Sequence, residues 1–265
     1  MTLRAAIVDL DGTVYRGDEL VPDADQGVRA LREAGLRVLF VSNNPVRSPA
    51  GFADRLRRLG VEASPDEILT SGVATTEYLV DEHPADRVFV VGESGLVSQF
   101  REAGLRVTDE PAAADVLVAA YDRSFNYDDL TDALVALRSP ATAFVGTDPD
   151  RTIPSGDGGV VPGSGAIVGA IAYTTERDPD VVLGKPSQTT VDLALDRLGV
   201  PAEACLVVGD RLDTDIAMGE RAGMTTALVG TGVSRDRRAA DHDASPDYVL
   251  DSLATVSSVI ESAGV

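Results

Sequence analysis

Ala5-Ala6-Ile7-Val8-Asp9-Leu10-Asp11-Gly12-Thr13 is an apolar run that ends in two carboxylates and a turn. Four small or β-branched apolar residues in succession read as a strand buried on both faces, the kind a parallel sheet uses. A carboxylate at the C-terminal end of such a strand projects into the crevice where open α/β sheets bind ligands. Asp11 points to the same side by strand periodicity, and Gly12-Thr13 lets the chain turn. Two carboxylates this close repel, which suggests a divalent cation or a shared proton. Taken alone, the pentapeptide also reads as an acidic strand-end turn with no further role.

The surrounding chain repeats the rhythm. An amphipathic helix over Asp23 to Ala34 carries Val28, Leu31 and Ala34 on one stripe and stops at Gly35, and a second strand follows over Leu36 to Val41. Ala50 to Leu59 is the next helix, stopped at Gly60. Towards the C-terminus come a strand at Val181 to Leu183, a helix over Thr189 to Leu198, a strand at Cys205 to Val208, a helix over about Thr214 to Ala222 and a strand at Thr226 to Val229. This alternation is the signature of an α/β protein with a parallel sheet. The middle, from about Leu79 to Pro179, has strand signals at Val88 to Val91, Val116 to Ala119 and Ala143 to Val145 and a Gly/Pro/Asp-rich stretch from Gly146 to Gly165. Arg-Glu-Ala-Gly-Leu-Arg-Val occurs at Arg32 to Val38 and again at Arg101 to Val107, without shared flanks. One helix-stop-strand solution used twice explains it, and makes the middle an α/β unit as well.

Three further strand ends carry matching chemistry. Ser42-Asn43-Asn44 follows the second strand and offers a hydroxyl and two amides to an anion. Gly184-Lys185-Pro186 follows Val181 to Leu183, and Gly209-Asp210 follows Cys205 to Val208, with Asp213-Thr214-Asp215 leading into a helix. Each alone is an ordinary turn or helix cap. Together they describe a cation held by Asp9 and Asp210, and a phosphate held by Ser42, Asn43 and Lys185.

At these residues the chain resembles the haloacid dehalogenase (HAD) superfamily: Asp9 to Thr13, Ser42, Lys185, and Gly209-Asp210 with Asp215 look like its four motifs. Lys185 stands 143 positions after Ser42, which implies a cap domain of the type-two class inserted there. Gly92-Glu93-Ser94-Gly95-Leu96, Asp122 to Tyr127, Thr147-Asp148-Pro149-Asp150 and Pro162-Gly163-Ser164-Gly165 resemble the NagD-type subfamily of phosphoglycolate, 4-nitrophenylphosphate and nucleotide phosphatases. Asp148 departs from that pattern, which usually has Asn. The fold class implied is α/β: a Rossmann-like core with a parallel sheet at residues 1–79 and 180–265, and an inserted α/β cap at residues 80–179.

The resemblance assigns roles. Asp9 would be the nucleophile, forming an aspartyl-phosphate. Asp11 would protonate the leaving alcohol and then activate water, which needs a pKa nearer neutrality than a free carboxyl has. Mg²⁺ would be bound through Asp9, Asp210 and the backbone carbonyl of Asp11. Ser42 and Lys185, with Asn43, would clamp the phosphate, while Gly12, Asn44 and Asp215 support the site. The expected activity is a Mg²⁺-dependent phosphatase acting on a small phosphorylated metabolite: a sugar, glycolate, nucleotide or aryl phosphate. A protonating Asp11 argues against haloacid dehalogenation, whose halide leaves without an acid. The alternative is a non-catalytic phosphate-ligand binding protein, against which the Asp9-Asp11 pair speaks. Relatives often dimerise through their caps, so a homodimer is a further expectation.

Composition narrows partners. The 265 residues include one lysine against 22 arginines, and a formal charge of −20. Nucleic acid and anionic membrane surfaces would be repelled, and no apolar run approaches the ~18 residues of a membrane span. Met1 to Leu10 shows no signal-peptide pattern, and the lone Cys205 permits no intramolecular disulfide, so the expected location is cytoplasmic. Acidity with arginine in place of lysine resembles proteins of salt-loaded cytoplasm, where repulsion is screened within about 3 Å at ~1 M salt. A GC-rich genome would also account for the missing lysine, less well for the charge.

Other signals are weaker. Gly163-x-Gly165-x-x-x-Gly169 misses the dinucleotide fingerprint because Pro162 interrupts the strand and the third glycine is one residue late; a loop entering a cap helix fits better. A kinase-type phosphate loop is excluded by Pro186 after the only lysine. His83 and His242, the only histidines, lie in polar surroundings, which argues against a histidine metal site or serine triad. Cys205 reads as a small buried strand residue.

Overall fold

A computed structural model describes residues 2–154, 159–232 and 244–263. The chain begins with β1 (Ala5–Asp9), a β2–β3 hairpin (Tyr15–Arg16, Glu19–Leu20), α1 (Ala24–Glu33), β4 (Arg37–Ser42), α2 (Pro49–Arg58), β5 (Ile68–Thr70) and α3 (Ser71–Glu82). The middle holds β6 (Arg87–Val91), α4 (Ser94–Glu102), β7 (Arg106–Val107), β8 (Val116–Ala119), α5 (Tyr127–Ala136) and β9 (Ala143–Gly146). A β10–β11 hairpin (Thr152–Pro154, Val160–Pro162), α6 (Ser164–Thr175) and β12 (Val181–Val182) complete it. The last part runs α7 (Gln188–Leu198), β13 (Cys205–Gly209), a π-helical turn (Leu212–Ile216), α8 (Ala217–Ala222), β14 (Thr225–Val229), β15 (Tyr248–Leu250) and α9 (Ser257–Ala263).

The first sheet is six-stranded and parallel, in the order β15-β14-β13-β1-β4-β5. Its central strands are apolar throughout because both faces are covered. Ala6 and Val8 pack with Phe40 and Val208 in one core, whereas Ala5 and Ile7 pack with Leu39, Val41 and Val207 in the other. The chain winds outward from β1 through β4 to β5, then returns to the opposite side of β1 for β13, β14 and β15. The strand order therefore reverses at β1, and the carboxyl ends of β1, β4 and β13 open onto one crevice.

The second sheet is five-stranded and parallel, in the order β12-β9-β8-β6-β7, again with an apolar core on each side. The α/β reading of the middle segment holds. So does the reading of Gly163 to Gly165, which forms the entry to α6. One strand differs from expectation. Val181–Val182 does not join the first sheet; it pairs with Val145–Gly146 at the edge of the second, and Leu183 is buried in that sheet's core. Gly184, at φ +70°, then redirects the chain towards the first sheet. The helix expected from Thr214 starts as α-helix only at Ala217, because the π-helical turn occupies residues 212–216.

Gly27 in α1 shows how closely the C-terminal segment seals one face. A Cβ there would lie 2.3 Å from the Leu253 carbonyl oxygen. Gly→Ala within a helix ordinarily stabilises by roughly 0.5–1 kcal/mol; here the clash reverses the sign. Urea unfolding of Gly27→Ala is expected to give a lower midpoint than wild type, and a higher midpoint would show that this contact is loose.

Candidate active site

Lys185 carries the only ammonium of the chain's side chains into a fully enclosed position, 2% exposed. Its Nζ lies 2.5 Å from Asp9 Oδ1 at the end of β1 and 2.7 Å from Asp215 Oδ1 in the π-helical turn. It also donates to the Val41 carbonyl of β4 at 2.9 Å. Three partners match its three donors, so Lys185 ties together three of the segments that the sheet brings to the crevice. Burial disfavours its charge, but the Asp215 and Asp9 carboxylates outweigh that and hold it protonated beyond the ordinary lysine range.

Asp9, Asp210 and Asp215 each present a carboxylate oxygen within 4.8 Å of the others, and all three are buried. Burial pushes the Asp9 pKa well above the usual carboxylate range; Lys185 opposes this, while Asp215 and Asp210 add to it. Asp9 Oδ2 is enclosed and accepts no hydrogen bond. Three hard oxygen donors, one with an unused buried lone-pair face, fit a divalent cation of the Mg²⁺ type. Gly12 allows the close approach: at φ +94°, a Cβ there would come 2.6 Å from Asp210 Oδ2. The Thr231 hydroxyl fixes the same turn by donating to the Gly12 carbonyl at 2.7 Å.

Asp11 lines the same cavity but lies outside that carboxylate cluster. Its side chain accepts from the Tyr15 hydroxyl at 3.3 Å. Burial raises its pKa, against the pull of Arg55, the Tyr15 hydrogen bond and Lys185. A carboxyl shifted this way holds a proton closer to neutrality, as an acid–base group requires. The side-chain cluster is thus Asp9 and Asp210 with the supporting Asp215, while Asp11 is expected at a cation only through its backbone carbonyl.

Ser42, buried at the end of β4, accepts from the Asn44 N–H at 3.2 Å. Asn44 Oδ1 in turn accepts from Val46 and Arg47 N–H at 3.0 and 3.1 Å, fixing the loop, which suits a supporting residue. Asn43 differs from expectation. Its amide donates to the Lys185 carbonyl at 3.1 Å and accepts from the Lys185 N–H at 2.7 Å, and it also bonds Asp150. The side chain expected on a phosphate is engaged in seating the lysine, because Gly184-Lys185 arrives from the second sheet and needs anchoring.

The cavity, about 230 Å³, also gathers Asp150 and Ser164 from two of the subfamily motifs, and Arg55, Tyr121 and Arg211, which are not singled out in the sequence. Arg55 lies over the Tyr15 ring, 4.0 Å from its centre, and donates to the Gly17 carbonyl. Nothing in the α2 pattern distinguishes it from its polar neighbours. Arg211 had a signal, its place directly after Asp210. His83 bonds Asp86 at 2.8 Å at the end of α3, outside the cavity lining, and His242 lies outside the described residues. Cys205 is buried in β13, and burial pushes its thiol up to about 11.

A parallel sheet that switches direction over an acidic, lysine-tied crevice, faced by a second α/β sheet, defines a haloacid dehalogenase-like hydrolase. Two family models match: residues 6–106 fit "Haloacid dehalogenase-like hydrolase" and residues 182–256 a related HAD-hydrolase model. The sugar-phosphatase AraL of Bacillus subtilis is 36% identical over 96% of this chain and 92% of that protein. The 5′-nucleotidase YutF of the same organism is 34% identical over 95% and 96%. Among solved structures, a p-nitrophenyl phosphatase from Archaeoglobus fulgidus superposes with a TM-score of 0.90 at 38% identity, covering 99% of this chain and 100% of that one. NagD from Escherichia coli K-12 gives 0.84 at 28% identity, covering 96% and 98%. The chain belongs to the haloacid dehalogenase-like hydrolases, in their class IIA, NagD/p-nitrophenylphosphatase branch.

Asp148, the departure from the subfamily pattern, is 1% exposed. Its oxygens accept from the Thr147 hydroxyl at 3.1 Å and the Asp150 N–H at 3.2 Å. Burial, with the neighbouring Asp150 charge, raises its pKa to about 8. An unfolded aspartate ionises near pH 3.9, so between about pH 4 and 8 the folded chain retains a proton that the unfolded chain has lost. Its stabilising contribution is full below that window and is lost as pH rises through it. Asp148→Asn removes this penalty. Melting temperatures at pH 5 and pH 8 are expected to differ less in the variant, which gains chiefly at pH 8; an unchanged pH slope would place the penalty elsewhere.

Proposed function

We propose that this chain is a Mg²⁺-dependent phosphomonoesterase that transfers the phosphoryl group to Asp9 and then to water. The carrying observation is the Lys185 ammonium fixed between Asp9 and Asp215, with Asp210 in the same cluster and Asp11 in the same cavity. An Asp9 oxygen attacks phosphorus, and the bond from phosphorus to the ester oxygen breaks. Asp11 delivers its proton to the departing alkoxide and then takes a proton from the attacking water. As that water attacks, the bond between phosphorus and Asp9 breaks and inorganic phosphate leaves. Asp9, Asp210 and the Asp11 backbone carbonyl would hold the cation, with Asp215 beside them. When bound, it supplies charge neutralisation at the phosphoryl oxygens. Ser42 donates to a phosphoryl oxygen, while Lys185 restrains Asp9 and contributes positive charge.

In this reading the first sheet and its helices form the catalytic core, and the unit built on the second sheet, which extends past residue 179 to take in Val181–Val182, forms the cap that faces the leaving group. The relatives' names support a small phosphorylated metabolite, of the sugar-phosphate, nucleotide or aryl phosphate class, as substrate. We place the enzyme in the cytoplasm, consistent with a free buried thiol, and infer a homodimer and a high-salt working environment from the resemblance and the charge of −20. Among the described residues no helix is long and apolar enough to cross a membrane.

A phosphate-release screen over phosphomonoesters, with and without Mg²⁺ and at low and molar KCl, tests this reading. Mg²⁺-dependent turnover of at least one ester is expected, with activity retained or raised in molar KCl. Binding without release would favour the phosphate-binding alternative, and loss of activity in KCl would sink the high-salt reading.

Asp9→Asn removes the nucleophile while keeping the side chain's shape. Turnover is expected to fall by at least about 10⁴-fold, the scale seen when a covalent catalytic group is removed, with wild-type circular dichroism. Acid-quenched wild type should carry an acyl-phosphate that this variant lacks. Near wild-type turnover in Asp9→Asn would overturn the covalent route.

A further inference from the structure

Residue 211 touches both α/β units at once. Its backbone N–H donates to Asp215 Oδ2 at 3.1 Å, and the residue before it is Asp210. Its guanidinium is held in a fork by Asp213, with Nε–Oδ1 at 3.1 Å and Nη2–Oδ2 at 2.9 Å. From there it reaches the segment following β9 of the second sheet. Nη1 donates to the Thr152 carbonyl at 3.4 Å, and Nη2 lies 3.5 Å from Asp150 Oδ1. Asp150 is itself immobilised: it is 8% exposed, its carbonyl accepts from the Gly165 N–H at the start of α6, and its N–H donates to Asp148. The cation is thus rigidly seated on one side and meets a fixed carboxylate and carbonyl on the other.

We propose that Arg211 is a positioning residue that couples docking of the second α/β unit to the geometry of the Asp9–Asp210–Asp215 cluster, through its fork on Asp213 and its contacts to Asp150 and Thr152. The inference rests on the cation reading of that cluster. Displacing the β10–β11 hairpin pulls on the same short loop that carries Asp210 and Asp215. A docked second unit therefore tightens the cation site, and an occupied cation site favours docking, because coupling between two binding events is reciprocal. Arginine suits the position: Nε and Nη2 engage both Asp213 oxygens while Nη1 reaches the Thr152 carbonyl, a spread that the one nitrogen of an ammonium does not cover.

Isothermal titration of Mg²⁺ into the full chain, without substrate, tests the coupling. The variants are Arg211→Lys, Arg211→Met, Asp150→Asn and the Arg211→Met/Asp150→Asn pair. None of these residues is in the proposed catalytic or cation-binding set. Each single change is expected to weaken Mg²⁺ binding by about fivefold or more, the lower range of such couplings. The pair should bind at least as weakly as either single variant but less weakly than the two losses combined, because the two residues share one contact. Simple charge proximity predicts the opposite pattern. Losing the Arg211 charge would tighten Mg²⁺ binding, Arg211→Lys would leave it unchanged, and the pair would return towards wild type. That pattern, or unmoved affinities, overturns the proposal. Should Arg211→Met fail to fold, Arg211→Lys decides the matter, since charge proximity alone leaves its affinity unchanged. A wild-type chain that neither binds Mg²⁺ nor releases phosphate removes the phosphatase reading and this coupling together. Wild-type binding with unmoved variants removes the coupling alone.

Discussion

Three carboxylates and one ammonium are enclosed at the C-terminal edge of the first sheet, and everything around the site follows from that charge problem. Asp9, Asp210 and Asp215 converge with Lys185 as the ammonium that two of them contact. The formal deficit is two, the charge a divalent cation carries. Isolated buried carboxylates neutralise themselves by raising their pKa or acquire a counter-charge. The direction of the Asp9 shift shows the first tendency at work even beside Lys185. A bound cation reverses it, because a divalent ion becomes the largest local charge. The residues present therefore suit a divalent cation by charge as well as by donor chemistry.

The fold supplies this convergence cheaply in sequence terms. Because strand order reverses at β1, the ends of β1, β4 and β13 lie side by side, and one polar residue after each apolar run suffices to populate the crevice. The fourth contribution is different in kind. Lys185 follows β12, which belongs to the second sheet, and enters the first unit's crevice after Gly184. Its backbone is received by the Asn43 amide in both directions. The ammonium that balances the core's carboxylates is thus delivered by the connection between the two units, and Arg211 spans the same boundary from the opposite side. Two side chains, Lys185 and Arg211, thus bridge the two units beside the carboxylate cluster.

These features were unequally visible in the sequence. Ala5 to Asp9, Arg37 to Ser42 and Cys205 to Gly209 could be read as strands because burial on both faces leaves an unbroken apolar run. Their terminal polar residues then stood out by contrast. Val181–Val182 could not be assigned to a sheet, since two residues have no period and edge pairing is decided by tertiary contact. The engagement of Asn43 was hidden for a related reason: an amide after a strand offers the same groups to a phosphate or to a backbone, and only the arrival of Gly184-Lys185 decides between them. Asp215 was legible as a support of the site, and the π-helical turn is what brings its carboxylate to the lysine. Arg55 reaches the cavity while lying over the Tyr15 ring and donating to the Gly17 carbonyl, a pairing of α2 with the β2–β3 hairpin that neither local pattern specifies.

The solitary lysine shows what composition and structure explain jointly. Wherever a cation on this chain meets solvent or a carboxylate fork, arginine serves, as at Arg87 with Asp115 or Arg197 with Glu77. Position 185 asks for something else. Three oxygens from three different segments, at 2.5 to 2.9 Å, surround one nitrogen in an enclosed space. An ammonium directs its three donors in a compact tetrahedral spread, whereas a guanidinium is wider and confines its donors to a plane. Whatever pressure replaced lysine elsewhere on the chain, a single nitrogen within 2.9 Å of oxygens from three segments is a geometry suited to an ammonium.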